Sequence, residues 1–93
     1  MNTLETVISH IADEADKRDC FYSRSDTGAG IDVMGDYGDT MIVWGKDTAY
    51  CEIIDYQGSI DFSDRWDGEG DPAEVAKQWL DALLHHTPKK GIS

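Results

Sequence analysis

The stretch that decides the fold is IDVMGDYGDTMIVWGKDTAYCEIIDYQGSIDFS, residues 31–63. Short apolar segments that alternate with period two are separated by turn sequences at 35–39, 45–47 and 56–58, and SDTGAG at 25–30 precedes them. Short loops that contain glycine join neighbouring antiparallel strands. We therefore predict an antiparallel β-meander of four to five strands, near residues 20–24, 31–34, 40–44, 48–55 and 59–63.

Helices flank this segment on both sides. Apolar residues recur at helical spacing from Leu4 to Ala15, which predicts a helix over residues 3–18. The sequence DPAE at 71–74 combines a capping aspartate, a proline for the first turn and a glutamate at the capping-box position. It predicts a second helix over residues 72–86.

Together these elements predict an α+β fold with both helices packed on one face of the sheet. We expect His85 and His86 to close the second helix and residues 87–93 to form a tail. With 93 residues, the chain has the size of one small domain, 1–93.

The charge of the chain is strongly negative, with 19 acidic against 8 basic residues and a net charge of −11. Residues 26–71 carry most of it, with twelve acidic and two basic side chains. Such a surface repels nucleic acid and anionic membranes, so we expect a basic protein as the partner and no direct nucleic-acid or membrane binding.

Neither a membrane span nor a signal sequence is visible, because no segment holds the roughly 20 apolar residues that a span needs. Cys20 and Cys51 lie in apolar surroundings and not in a closely spaced framework. This favours two reduced thiols over a disulfide, and hence a cytoplasmic location.

The densest acidic segment is DFSDRWDGEGD, residues 61–71. In the EF-hand register, Gly70 would take position 6, but this puts Arg65 at position 1 and Ala76 at position 12, where ligands are required. A solvated acidic loop over residues 64–71 is therefore favoured over an irregular calcium site.

Catalytic constellations are equally absent from the sequence. His10 lies off the apolar stripe of its helix, and His85 and His86 end the other helix, where imidazolium suits the helix dipole. No spacing typical of a zinc site or a nucleophile–base pair occurs. We expect no catalytic residue, no metal and no cofactor, although an enzyme whose residues meet only in the fold remains an alternative.

The aromatic residues divide into core and interface candidates. Trp44 and Trp79 are predicted to be core residues, whereas Trp66 is either a lid on the core or an exposed anchor. Tyr37 and Tyr56 lie in turns beside aspartates, a combination typical of protein interfaces.

A patterned acidic surface is the candidate binding site, since alternate side chains of a strand share one face. Solubility alone is the competing explanation for the charge. The candidate partner-binding residues share a position in the predicted strands, turns or acidic loop: Asp32, Asp36, Tyr37, Asp39, Asp55, Tyr56, Asp61, Asp64, Trp66, Asp67, Glu69 and Asp71.

A small, strongly acidic chain with a helix, antiparallel sheet and helix layout resembles the phage-encoded anti-CRISPR proteins that act as DNA mimics. The resemblance covers the whole chain and is compositional, so no functional residue is carried over. It implies a non-enzymatic inhibitor in the host-cell cytoplasm that binds a basic nucleic-acid channel of a CRISPR effector and blocks target DNA binding. The alternative is an immunity protein that plugs the active site of a cationic nuclease toxin.

Overall fold

A computed structural model describes residues 3–25 and 30–84 of the chain. It confirms the α+β fold with one five-stranded antiparallel sheet, whose strand order is β1-β2-β3-β4-β5. The elements along the chain are α1 (Thr3–Lys17), β1 (Tyr22–Arg24), β2 (Gly30–Met34), β3 (Thr40–Gly45), β4 (Ala49–Ile54), β5 (Ile60–Trp66) and α2 (Pro72–Leu84).

The strand register gives the sheet two different faces. One is apolar and covered by the helices, and the other, the open face, lies on the side away from the helices. Val33 pairs with Met41, Met41 with Ile53, and Ile53 with Phe62, so these side chains share the face that the helices cover. The residues of this face that are fully or almost fully buried are Ile31, Val33, Met41, Val43, Ala49, Cys51, Ile53 and Trp66.

Helix α1 packs on β2, β3 and β4, and α2 packs along α1. The apolar stripe of α1 is buried as its periodicity predicts, and Trp79, Leu80 and Leu83 of α2 complete the core. An ion pair joins the helices, since Arg18 Nη1 of α1 lies 2.6 Å from Asp81 Oδ1 of α2. Both helices therefore lie on the same side of the sheet.

Local sequence signals explain the helix ends. The Cys20 N–H donates to the Ala15 carbonyl, and Asp19 takes the left-handed conformation (φ 57°) that ends α1. At the start of α2, the Ala73 N–H donates to Asp71 Oδ1 at 3.0 Å. Asp71 is therefore the N-cap that the sequence predicts.

Two positions differ from the sequence-based expectations. Strand β5 continues to Trp66, so the loop before α2 begins at Asp67 and not at Asp64. Trp44 lies on the open face with 39 % of its surface exposed, so its prediction as a core residue is wrong. The expected helix end at His85 and His86 and the tail 87–93 lie outside the described residues.

No helix within residues 3–25 and 30–84 has both the length and the apolar character needed to cross a membrane.

The two cysteines differ in their surroundings but are both free thiols. Cys51 is fully buried in the core, and burial raises its pKa far above the usual range. Cys20 is partly exposed, and its pKa is raised by burial and by the nearby Asp36 carboxylate.

These environments predict a difference in thiol reactivity. In the native protein, a thiol reagent should modify Cys20 slowly at neutral pH and faster as pH rises, because the thiolate is the reactive form. Cys51 should react only after unfolding, when two thiols are titrated without added reductant. Mass mapping of the modified peptides measures both rates, and modification of Cys51 before Cys20 would contradict the packing described here.

Candidate functional site

The open face of the sheet, on the side away from the helices, carries an exposed aromatic pair. Trp44 and Tyr50 are directly opposite in β3 and β4, with ring centroids 5.7 Å apart and a stacked arrangement. In the same row, Gly30 of β2 lies beside Trp44 and Arg65 of β5 lies beside Tyr50. The pair is thus a preformed aromatic surface on two inner strands of the sheet, next to the β3–β4 turn.

Aliphatic and aromatic side chains extend this surface toward the β2–β3 turn. Met34 and Ile60 are each more than half exposed, and Ile54 between them in the sheet is half-buried. Phe21 is 81 % exposed and lies beside Met34, whose N–H donates to the Phe21 carbonyl. Such a group of exposed apolar residues is typical of a protein-binding surface.

Charged residues lie among these apolar side chains. Asp32 and Glu52 occupy one row across the sheet, separated by Ile42. Neither carboxylate forms an ion pair with a residue in the described part of the chain. This row lies between the row of Trp44 and Tyr50 and the row of Met34, Ile54 and Ile60, so the open face places two carboxylates between two apolar rows, with Arg65 as the neighbouring cation.

The predicted acidic residues do not form one continuous surface. Asp36, Tyr37, Asp55 and Tyr56 are in the β2–β3 and β4–β5 turns, at one end of the sheet. These turns touch, because a Cβ on Gly38 (φ +84°) would lie 3.1 Å from the Tyr56 Cβ. Tyr37 and Tyr56 are exposed, so this end remains a second candidate surface.

The remaining exposed candidate partner-binding residues lie in β5 or in the loop that follows it. Asp67, Glu69 and Asp71 are in the loop after β5, at the opposite end of the sheet. Asp61 lies at a β-bulge in β5, where the register with β4 shifts. Asp64 is in register with the core residue Cys51, so its side chain is on the helix-facing side.

Several of these carboxylates have structural partners. Asp55 Oδ1 accepts hydrogen bonds from the Gln57 and Ser59 N–H groups, at 2.9 and 2.8 Å. Asp64 Oδ2 accepts one from the Trp79 indole N–H at 2.8 Å. Asp55 therefore holds the β4–β5 turn and Asp64 satisfies a core tryptophan, in addition to any role at the surface.

Two predicted partner-binding residues are buried. Trp66 is 8 % exposed and donates its indole N–H to the Glu69 carbonyl, so of the two alternatives it is the lid on the core. Asp39 is 2 % exposed, and neither of its carboxylate oxygens has a hydrogen-bond partner within the described chain. Neither side chain is therefore part of the exposed surface of the described residues.

Sequence reasoning missed the apolar part of the open face: Phe21, Met34, Trp44, Tyr50 and Ile60. The available signal was the strand register. Gly30, Trp44, Tyr50 and Arg65 form one row, and a row that contains an arginine is a poor candidate for the core.

The described residues contain no group of three or more histidine, cysteine or carboxylate side chains placed to hold a metal ion. His10 borders a shallow groove with Glu5 and Arg24 between α1 and β1. Ser9 lines the same groove, and a second open groove places Cys20 beside Asp16 and Asp19.

No protein-family model, curated protein or solved structure matches this chain. The geometry of the open face and of the acidic turns is therefore the basis for a functional proposal.

The hydrogen bonds to Asp55 predict a pH-dependent contribution to stability. Donation by the Ser59 N–H, and then by the Gln57 N–H, holds the Asp55 pKa below its usual range. This contribution is present above the unfolded pKa of about 3.9 and is lost as pH falls through the lower folded pKa.

Asp55→Asn keeps an acceptor oxygen but removes the charge. It should lower Tm at neutral pH, and the difference from the unsubstituted protein should vanish in acid. Asp47→Asn, in the exposed β3–β4 turn, controls for the loss of one negative charge. Thermal unfolding followed by circular dichroism tests this, and equal effects of the two substitutions at neutral pH would refute the role of Asp55.

For Asp39 we predict the opposite effect: removal of its charge should stabilise the folded state, because a buried carboxylate without hydrogen-bond partners is destabilising. Asp39→Asn should raise the free energy of unfolding at neutral pH by about 1–3 kcal/mol. Asp36→Asn removes the same charge from an exposed position of the same turn and should change stability much less. Denaturant unfolding of both variants provides the comparison, and no gain from Asp39→Asn over Asp36→Asn would contradict the assignment.

Proposed function

We propose that this chain is a non-enzymatic inhibitor that binds a basic nucleic-acid-binding surface of another protein and blocks access of nucleic acid. The observation that carries the proposal is the open face, where the exposed Trp44–Tyr50 pair lies beside the carboxylates Asp32 and Glu52, which form no ion pair within the described residues. Exposed aromatic side chains next to polar and charged ones are typical of protein interfaces.

The net charge of −11 selects the kind of partner. A second copy of this chain would bring the same negative charge against the open face, whereas a cationic protein would be attracted to it. A surface that normally binds nucleic acid has the required positive charge. A partner held there competes directly with nucleic acid, which gives inhibition without any chemical step.

The two kinds of side chain would contribute differently to binding. Carboxylates at the edge of an interface mainly speed up the encounter, and exposed ion pairs contribute only about 0–1 kcal/mol each. Buried aromatic anchors mainly slow dissociation. We therefore assign affinity chiefly to Trp44 and Tyr50, and the rate and salt dependence of association to the acidic residues.

Among basic nucleic-acid-binding proteins, we propose the DNA channel of a CRISPR effector as the target, in line with the compositional resemblance to DNA-mimic anti-CRISPR proteins. A cationic nuclease toxin presents a comparable surface, so it serves as the competing target in the test.

The test is a binding competition with purified proteins. A panel of CRISPR effectors and cationic nuclease toxins is incubated with the chain, and binding of labelled DNA is measured by mobility shift and surface plasmon resonance. We expect the chain to abolish DNA binding by an effector at stoichiometric ratio, with an association rate that falls steeply with salt. Inhibition of a toxin alone would reassign the target, and DNA binding unchanged under saturating chain would refute the inhibitor role.

Paired charge variants test which surface is used. Asp32→Asn with Glu52→Gln removes two carboxylates from the open face, and Asp13→Asn with Glu74→Gln removes two exposed ones from the helices. The first pair should slow association severalfold more than the second, although both change the net charge equally. Equal effects of the two pairs would show that general acidity, and not the open face, directs binding.

A further inference from the structure

A recess of about 190 Å³ lies on the open face beside Trp44. Gly30, in register with Trp44, lies at its floor and contributes no side chain on that side of the indole, and Ser25 also borders the recess. A Cβ at Gly30 would lie only 2.9 Å from the Val43 carbonyl oxygen, so the close strand contact requires glycine there. The gap is therefore built into the strand pairing.

Asp32 supplies the charge of this recess. It pairs with Ile42, two residues before Trp44 on β3, so Asp32 and Trp44 are diagonal neighbours on the same face. Diagonal neighbours in an antiparallel pair are about 7–8 Å apart, a gap that admits one flat group between carboxylate and ring. Ser23, in register with Asp32, borders the recess on the β1 side.

Two other charged residues of the described strands, Arg24 and Arg65, are near the recess but do not point into it. Arg24 borders the recess, but it pairs with the core residue Ile31, so its side chain is on the helix-facing side of the sheet. There it borders a groove with Glu5 and His10. Arg65 is separated from Trp44 by Tyr50. Asp32 is thus the charged side chain that the described strands direct into the recess.

We propose that this recess binds an arginine side chain of the basic partner, an inference that rests on the proposed function. The guanidinium stacks on the exposed face of Trp44 and donates hydrogen bonds to the Asp32 carboxylate. Arginine suits this arrangement better than lysine, because its planar cation stacks on an aromatic ring and presents parallel donors to a carboxylate.

The experiment uses the whole chain and a blocked glycine–arginine–glycine peptide as the probe. Its binding is followed by NMR through the tryptophan indole signals, and loss of one signal in Trp44→Leu assigns that of Trp44. Trp66 and Trp79 are buried with hydrogen-bonded indoles, so their signals report whether each variant is folded. The same peptide with citrulline, a neutral isostere of arginine, is the ligand control.

We expect saturable movement of the Trp44 signal with the arginine peptide, and weaker binding of the lysine and citrulline peptides. Asp32→Asn and Trp44→Leu should each raise the dissociation constant about two- to fivefold. Asp13→Asn removes one exposed charge from α1, on the side of the sheet away from the recess, and should leave the constant nearly unchanged.

Equal weakening by Asp13→Asn and Asp32→Asn would overturn the proposal, as would equal binding of the citrulline peptide or an unmoved Trp44 signal. The outcome is separable from that of the inhibitor test. The peptide titration needs no effector, and DNA exclusion by the chain does not require an arginine in this recess.

Discussion

The structure depends on the burial of one face of the sheet beneath two helices. Strands β2, β3 and β4 supply Ile31, Val33, Met41, Val43 and Ile53 to that face, and α1 covers them. Because side chains alternate along a strand, every residue between them is directed to the opposite face. Within the described residues, both helices lie on the first face. The open face is thus a direct consequence of how the core is built.

Much of this fold is predictable from local signals, since glycine-containing turns locate the strands and the DPAE sequence locates α2. The face of each side chain is harder to predict. In Thr40–Gly45, apolar residues occupy both alternating sets, Met41 with Val43 and Ile42 with Trp44. Periodicity alone does not select the buried set. The choice depends on cross-strand neighbours, which place Trp44 in a row with Gly30 and Arg65.

The candidate site was predicted only in part, because an aspartate in sequence does not reveal its partner. Asp64 looks like part of a solvated loop, yet it continues β5 on the helix-facing side and accepts the indole N–H of Trp79. Trp66 lies in a polar sequence and is nevertheless buried, with its indole N–H bonded to the Glu69 carbonyl. In both cases, the partner of a buried indole N–H lies elsewhere along the chain, 15 residues away for Trp79 and three residues away for Trp66, and the hydrogen bond removes the cost of burying that N–H unpaired.

The negative charge of the chain bears on whether two copies can associate through the open face. An exposed apolar face favours association with a second copy of the chain, and the unpaired edge strands of an antiparallel sheet can pair with strands of another copy. Here β1 has only three residues, and β5 carries a bulge beside Asp61, with Arg65 farther along the strand. Carboxylates on the open face repel the same face of a second copy, which opposes burial of the exposed Trp44 and Tyr50 between copies. A cationic partner is attracted by the same charge, so the acidity that opposes contact between copies favours contact with a basic surface.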